Sequence, residues 1–246
     1  MIRINQVKLP VEHTTEALHK KVQELLKYKG SMDVEIVKRS LDARKKPQLF
    51  YVYMLDVTIP EKEERKLLKR CRSSQIQKVE PVKYVFPVKH YEGQKRPVIV
   101  GMGPAGLFCG YVLAKAGFRP ILLERGKCVE ERSRDVEAFW KTGHLNTESN
   151  VQFGEGGAGT FSDGKLKTLI KDKYGRNKEV LRIFVKHGAP KEILYDYKPH
   201  IGTDILKKIV RSMREEILAS GGDVRFETRV TDLLIADGRI KGLVLN

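Results

Sequence analysis

The sequence has few cysteines, a single tryptophan and no long apolar run. Its three cysteines, Cys71, Cys109 and Cys128, are too few and too scattered for a disulfide framework or a zinc site, so we expect reduced thiols and no metal. No segment approaches the ~18 apolar residues of a membrane-spanning helix, and the N-terminus lacks the apolar core of a signal peptide. These absences exclude a disulfide-stapled secreted domain and an integral membrane protein, and they predict a cytoplasmic chain.

Positive charge is what the sequence has in excess. Lys and Arg number 47 against 31 Asp and Glu, a formal net charge of +16 at pH 7. Such an excess favours anionic partners, whether nucleic acid, anionic lipid or phosphorylated small molecules, without choosing among them. The length of 246 residues allows one or two domains.

Residues 1–90 predict a ferredoxin-like βαββαβ domain, the α+β part of the chain. Alternating or apolar runs predict strands, and a 3.6-residue apolar period predicts the first helix. The predicted strands are Ile2–Leu9, Met32–Lys38, Leu49–Ile59 and Val79–Val88, and the helices are Thr15–Tyr28 and a second one opened by Pro60. We expect two helices to cover one face of a four-stranded antiparallel sheet.

The third predicted strand carries the aromatic residues that an RNA-binding version of this fold would need. Tyr51 and Tyr53 share one face, while Phe50 points to the other. The strong ribonucleoprotein signature is absent. A docking or cover domain is therefore favoured, and nucleic-acid binding by the basic N-terminal domain is kept as the alternative.

A polar segment, His90–Arg96, precedes a sharp change of pattern and marks the predicted domain boundary, with the second domain at 91–246. Pro97–Val100 is a short apolar run, as expected for a parallel strand buried on both faces. Gly101, Gly103 and Gly106 follow it with G-x-G-x-x-G spacing.

Each glycine of this motif has a physical role in dinucleotide binding. Gly101 allows the tight turn, Gly103 lets the backbone approach a pyrophosphate, and Gly106 lets helix and strand pack closely. The helix that follows, in which we expect Cys109 to be buried, points free N–H groups at the phosphates. Glu124, 18 residues after Gly106, ends the next strand, where it would accept hydrogen bonds from ribose and repel a 2′-phosphate. The pattern predicts a bound adenine dinucleotide but does not separate NAD from FAD.

A second glycine-rich segment spans Asn150–Leu166. It contains Gly154, Gly156, Gly157, Gly159 and Gly164. So many glycines suit a backbone that lies against a flat or anionic ligand. Thr160 and Ser162 add hydroxyls and Lys165 adds a cation, while the interleaved phenylalanines indicate a packed loop.

Four segments in this order, GxGPAG, ERG, GGAGTFSDGKL and KPHIGTD, resemble the large bacterial FAD-dependent dehydrogenases of the glutathione-reductase-like flavoprotein group. More distantly, they are similar to geranylgeranyl reductases. The resemblance implies a Rossmann-like α/β domain, FAD as cofactor and hydride transfer through the flavin, with a small-molecule substrate and NAD(P)H as electron donor. Members of that family are about twice as long as this sequence, so the resemblance also implies that the domain is incomplete at its C-terminus.

The resemblance assigns a cofactor role to individual residues. The implied FAD contacts are Gly101, Gly103, Pro104, Ala105 and Gly106 at the pyrophosphate, Glu124, Arg125 and Gly126 at the ribose, Arg132 at phosphate or adenine, Gly156, Gly157, Ala158, Gly159, Thr160 and Ser162 beside the flavin, and Val230 at the adenine edge. Lys165 would stabilise negative charge on the reduced flavin. His200 is the histidine preferred for proton transfer. Independently, an Asp237-Gly238 turn predicts a C-terminal hairpin.

Overall fold

The computed structural model describes residues 1–71, 73–88, 90–166, 168 and 170–246. Its architecture is mixed α/β. Internal contacts group the chain into two units. The first unit comprises Met1–Tyr84, Lys167–Glu179 and Lys191–Pro199, and the second comprises Val85–Leu166, Val180–Pro190 and His200–Asn246.

The first unit is built on a four-stranded antiparallel sheet. Its elements are β1 (Ile2–Pro10), α1 (Thr15–Leu26), β2 (Asp33–Lys45), β3 (Gln48–Thr58), α2 (Glu61–Arg70) and β4 (Ile76–Lys78). The strand order is β2-β3-β1-β4. The predicted strand Val79–Val88 is wrong, since β4 ends at Lys78 and residues 79–88 form no strand. Pro81 and Pro87 lie within that run and cannot donate to a ladder.

The core of the first unit forms between α1 and the sheet. The predicted apolar stripe of α1 is confirmed, with Leu18, Val22 and Leu26 buried. These side chains belong to one cluster with Leu55 and Val57 of β3, both 0% exposed. Burying each such side chain contributes about 1.5–3 kcal/mol, so this cluster is what holds α1 on the sheet.

The aromatic pair of β3 lies on this same core-facing side. Tyr53 is 4% exposed and belongs to the core cluster, and Tyr51 packs against that cluster. The hydroxyl of Tyr53 lies 3.2 Å from Nε2 of His13. The two tyrosine rings are therefore committed to packing within the first unit.

The remaining elements follow in chain order. They are β5 (Val98–Val100), α3 (Pro104–Lys115), β6 (Ile121–Leu123), α4 (Val129–Thr142), α5 (Arg176–Lys186), α6 (Thr203–Ala219), β7 (Asp223–Arg225), β8 (Val230–Ala236) and β9 (Arg239–Leu245). In the second unit, β5, β6 and β7 form a parallel sheet in that order, and β8 pairs with β9. The predicted hairpin is confirmed, because Asp237 and Gly238 have φ of +53° and +67°, as its tight turn requires.

Within the described ranges, no helix is long and apolar enough to cross a membrane.

Two predictions of burial in the second unit are wrong. Val98 and Val100 are 47% and 59% exposed, because β5 is the edge strand of its sheet rather than a central one. Cys109 is also exposed, since α3 buries its opposite side through Leu107 and Tyr111. An apolar run of three residues does not distinguish an edge strand from a central one.

Candidate functional site

The turn between β5 and α3 is formed by the predicted glycines. Gly101 has φ of +88°, a conformation that favours glycine, and its N–H donates to the carbonyl of Leu123 at 2.7 Å. A Cβ at Gly106 would lie 1.9 Å from the Gly101 carbonyl oxygen. By contrast, the nearest atom to a Cβ added at Gly103 is the Cα of Gly157, at 4.0 Å. The fold therefore requires glycine at 101 and 106, whereas the space beside Gly103 is open.

Glu124 directly follows β6, and its carboxylate is turned toward the backbone of three segments. It is 4% exposed. Its Oε2 accepts the N–H of Met102 at 2.6 Å, and its Oε1 accepts those of Gly126 at 2.9 Å and Gly154 at 3.1 Å. A carboxylate has about four acceptor positions, so one is left for a further donor such as a hydroxyl. Sequence reasoning missed this internal role of Glu124.

A cavity of about 290 Å³ lies at this corner of the second unit. Predicted site residues that line it are Gly101, Gly103, Glu124, Arg125, Gly157 and Val230. Gly154, one of the glycines expected to lie against a ligand, also lines it. Further lining residues include Gln152, Phe153, Thr228 and Arg229, which the sequence did not single out as binding residues. Ligand sites commonly measure about 300–1,000 Å³, so this cavity is at the small end of that range.

The glycines of the second glycine-rich segment pack against the chain itself. A Cβ at Gly154 would lie 2.4 Å from Cδ of Arg132, and one at Gly156 would lie 2.3 Å from Oγ1 of Thr160. One at Gly157 would lie 2.9 Å from Cδ of Pro104. All three glycines have positive φ. The sequence attributed them to a ligand, but internal packing already requires them.

The other predicted cofactor residues do not line the cavity. They are Pro104, Ala105, Gly106, Gly126, Arg132, Gly156, Ala158, Gly159, Thr160 and Ser162. Residues 158–161 form a short 3₁₀ turn, and the Ser162 hydroxyl donates to the Gly159 carbonyl at 2.9 Å. Thr160 is 0% exposed, and its Oγ1 has no hydrogen-bond partner among the described residues.

Arg132 has a different environment from the one expected. It is 0% exposed. Its guanidinium donates to the carbonyls of Asn150, Val151, Gly154 and Glu155 at 2.8, 2.9, 3.3 and 2.5 Å. Burial lowers the pKa of Arg132 to about 10, while the nearby Glu124 and Glu155 act in the opposite direction. Every nitrogen of the guanidinium is therefore already engaged with loop backbone rather than with the cavity.

Two arginines line the rim of the cavity near one carboxylate. The guanidinium of Arg125 lies 3.8 Å from the ring centroid of Phe153. Its Nε and Nη2 donate to Glu148 at 3.1 and 3.0 Å, and Nη1 of Arg229 lies 3.4 Å from the same carboxylate. The charged side chains at the rim are therefore paired with one another in the structure without a ligand. The only sequence signal for it was the ERG segment at Arg125.

The two predicted catalytic residues lie together but outside the cavity lining. Lys165 and His200 are joined by an isolated antiparallel bridge. Nζ of Lys165 lies 2.6 Å from Asp163, whose hydrogen bond raises the pKa of the lysine, and the side chain is 77% exposed. His200 is also exposed. Their catalytic roles stay predictions.

Two comparisons with known proteins give matches. A family model described as "Domain of unknown function (DUF8436)" matches residues 1–58. An "Uncharacterized protein" of Clostridium beijerinckii is 43% identical over 249 residues, which covers all of this chain and 46% of the relative. The chain thus spans about half the length of the curated relative it matches.

Proposed function

We propose that the second unit is a Rossmann-like fold that binds the adenine half of FAD. We propose further that the protein is a flavin-dependent oxidoreductase similar to the bacterial FAD-dependent dehydrogenases. The first unit would be a ferredoxin-like domain. Its element order and its sheet order β2-β3-β1-β4 support that assignment. The parallel sheet with the glycine turn before α3 supports the Rossmann-like assignment.

One observation carries the proposal: a single cavity is lined by Gly101, Gly103, Glu124 and Val230. These four residues come from three separate parts of the sequence, and each was expected at an adenine dinucleotide. A strand-to-helix corner with a carboxylate at the end of the neighbouring strand is the arrangement that such ligands use.

The residues present fit the diphosphate and ribose of such a ligand. Open space beside Gly103 allows a phosphate to approach the backbone at the N-terminus of α3, where N–H groups and the helix dipole favour anions. The free acceptor position of Glu124 suits a ribose hydroxyl. Its negative charge disfavours a 2′-phosphate, which supports FAD or NAD over NADP.

FAD would supply the redox chemistry, accepting or donating a hydride at the flavin. The chain's own residues would bind and orient the adenosine diphosphate portion. Lys165 and the backbone of residues 156–162 remain our predicted neighbours of the flavin. If the Lys165→Met variant of a flavin-loaded protein kept an unchanged reduction potential, the role of Lys165 would be refuted.

Nucleic-acid binding by the first unit remains the alternative prediction. Its expected aromatic platform, Tyr51 and Tyr53, packs with the core, which weakens the case for base stacking. Affinity for single-stranded RNA that falls steeply with salt and depends on the basic residues Arg44–Lys46 would support this alternative.

Ligand titration of the purified chain tests the proposal. FAD and ADP-ribose should both bind, and the 2′-phosphorylated analogue of ADP-ribose should bind at least ~10-fold more weakly. Gly103→Ala should weaken ADP-ribose binding by about tenfold or more, because the methyl group occupies the phosphate's space while the unliganded fold has room for it.

Gly159→Ala is the matched control. An added Cβ there also meets open space, but Gly159 does not line the cavity. Its affinity for ADP-ribose should stay within about twofold of wild type. No binding of either FAD or ADP-ribose to the wild-type chain would refute the proposed function.

A further inference from the structure

The loop at residues 150–157 supplies Gln152, Phe153, Gly154 and Gly157 to the cavity lining. It contains no helix or strand. Its internal hydrogen bonds form only local turns, at Asn150 and between Gly157 and Gly154. Its position therefore also depends on contacts made by other segments, since such turns provide no ladder to hold it in place.

Arg132 of α4 makes the most extensive of these contacts. Its guanidinium donates to the four carbonyls of Asn150, Val151, Gly154 and Glu155 from a fully buried position. The Gly154 backbone passes so close to the Arg132 side chain that a Cβ would collide with it. Opening the loop would leave a buried cation without acceptors, which is costly.

Glu155 fixes the same loop from its other side. Its carboxylate is 0% exposed, and Oε2 accepts the N–H of Val129 at 2.7 Å and Nη1 of Arg214 at 2.8 Å. Arg214 of α6 also binds Glu130 at 2.8 Å. The loop is thus tied to the first turn of α4 and to α6 by charged groups.

We infer that Arg132 is a positioning residue for the ligand of this cavity, and that the Glu155–Arg214 pair secures the same loop. None of the three lines the cavity. They act by holding the backbone of residues 150–157 in its binding geometry before the ligand arrives, so that binding does not have to order the loop. The identity of the ligand rests on the proposed function, but the positioning role does not.

Hydrogen–deuterium exchange without ligand tests the positioning role directly. In Arg132→Lys, which keeps the charge but loses the planar fork of donors, amides of residues 150–157 should exchange at least ~10-fold faster than in wild type. Arg132→Met should show a larger increase. Amides of β6 and of the middle of α6 should change little. Arg211→Gln, an exposed arginine on α6 that pairs with Glu130 and Glu215, is the matched control and should leave the loop unchanged.

Ligand binding supplies the second readout. ADP-ribose should bind Arg132→Lys about tenfold more weakly than wild type, and saturating ADP-ribose should restore the exchange protection of the loop. A general loss of structure would not be reversed in this local way. If Arg132→Met does not fold, Arg214→Lys replaces it, with a smaller increase in loop exchange expected.

Unchanged loop exchange in Arg132→Lys would overturn the inference. Unchanged ADP-ribose affinity in a variant whose loop exchanges faster would overturn it as well. Failure of wild type to bind FAD or ADP-ribose would instead refute the proposed function, and the exchange measurement would still decide the role of Arg132.

Discussion

The first unit and the cavity corner of the second unit bury different kinds of side chain. In the first unit, strands of 9, 13 and 11 residues carry a continuous apolar cluster. In the second unit, each strand of the parallel sheet has three residues, and the buried side chains include Glu124, Arg132 and Glu155. The first unit therefore depends mainly on apolar burial, and the corner that forms the cavity depends on charged groups bonded to backbone. This difference predicts which substitutions each unit tolerates.

The largest effect is expected from a cavity in the apolar core. Leu55→Ala should lower the free energy of unfolding by about 2–5 kcal/mol, because Leu55 is 0% exposed. Leu41→Ala, at a position 58% exposed, is the control and should cost less than ~0.5 kcal/mol. Urea denaturation followed by circular dichroism measures both. Equal effects would contradict the apolar origin of this unit's stability.

The buried carboxyl group of Glu155 should make the stability of the second unit depend on pH. Burial raises the pKa of Glu155 from its ordinary 4.5 to about 7, against the opposing effect of Arg214 and the Val129 N–H. Because the folded state holds this proton more tightly, stability is highest below pH 4.5 for this group and falls as pH rises to about 7. At ~1.4 kcal/mol per pKa unit, the rise from 4.5 to about 7 corresponds to a total loss of about 3–4 kcal/mol.

Glu155→Gln should abolish that loss. The other groups facing Glu155 are Arg132 and Glu130, and neither has a pKa in this window, since that of Arg132 is about 10 and that of Glu130 is lowered. The difference between wild-type and variant unfolding free energies, measured from pH 4.5 to 8, isolates the Glu155 contribution. A difference that does not vary with pH would show that Glu155 titrates normally.

Glu124→Gln tests whether the corner depends on its carboxylate. The amide group of glutamine places N–H donors against the N–H groups of Met102, Gly126 and Gly154, so one or more must lose its acceptor. We expect a cost of about 1–3 kcal/mol and weaker ADP-ribose binding. Glu137→Gln on the exposed side of α4 should have no measurable effect on either. Thermal unfolding and titration calorimetry provide the measurements.

The smallest effect is expected at the exposed ion pairs of the first unit. Lys66 lies 2.8 Å from Glu63 on α2 and is 73% exposed. Lys66→Ala should change stability by no more than ~0.5 kcal/mol in urea denaturation. A larger loss would mean that surface charge contributes to this unit more than its apolar core suggests.

Apolar burial could be predicted from the sequence more readily than the buried charged groups could. The sequence pattern predicted α1 and the first and third strands of the first unit, because repeated apolar positions report which face is buried. The predicted strand Met32–Lys38 covers only the first part of β2, which continues to Lys45. The glycine turn and the Asp237-Gly238 hairpin were predictable because each needs unusual backbone angles. The error at Val79–Val88 came from counting apolar residues in a segment whose prolines forbid a ladder.

The charged groups of the second unit could not be predicted in the same way. Arg132 and Glu155 are 23 residues apart in sequence, and nothing local indicates that either is buried or what it binds. The sequence also implied a domain of residues 1–90, whereas the first unit includes later segments at 167–179 and 191–199. Joining such distant segments depends on contacts such as that between Arg39 and Asp196, which no period or motif reports.

The triple hydrogen bonding of Glu124 has a consequence for redesign of the cavity. Swapping an acidic residue for a basic one is the obvious way to re-engineer nucleotide preference at such a corner. Here the acidic side chain also holds three segments of main chain together, because its carboxylate accepts their N–H groups. Replacing Glu124 alone would leave the N–H groups of Met102, Gly126 and Gly154 without this acceptor. A redesigned cavity must therefore supply new acceptors for these three amides at the same time.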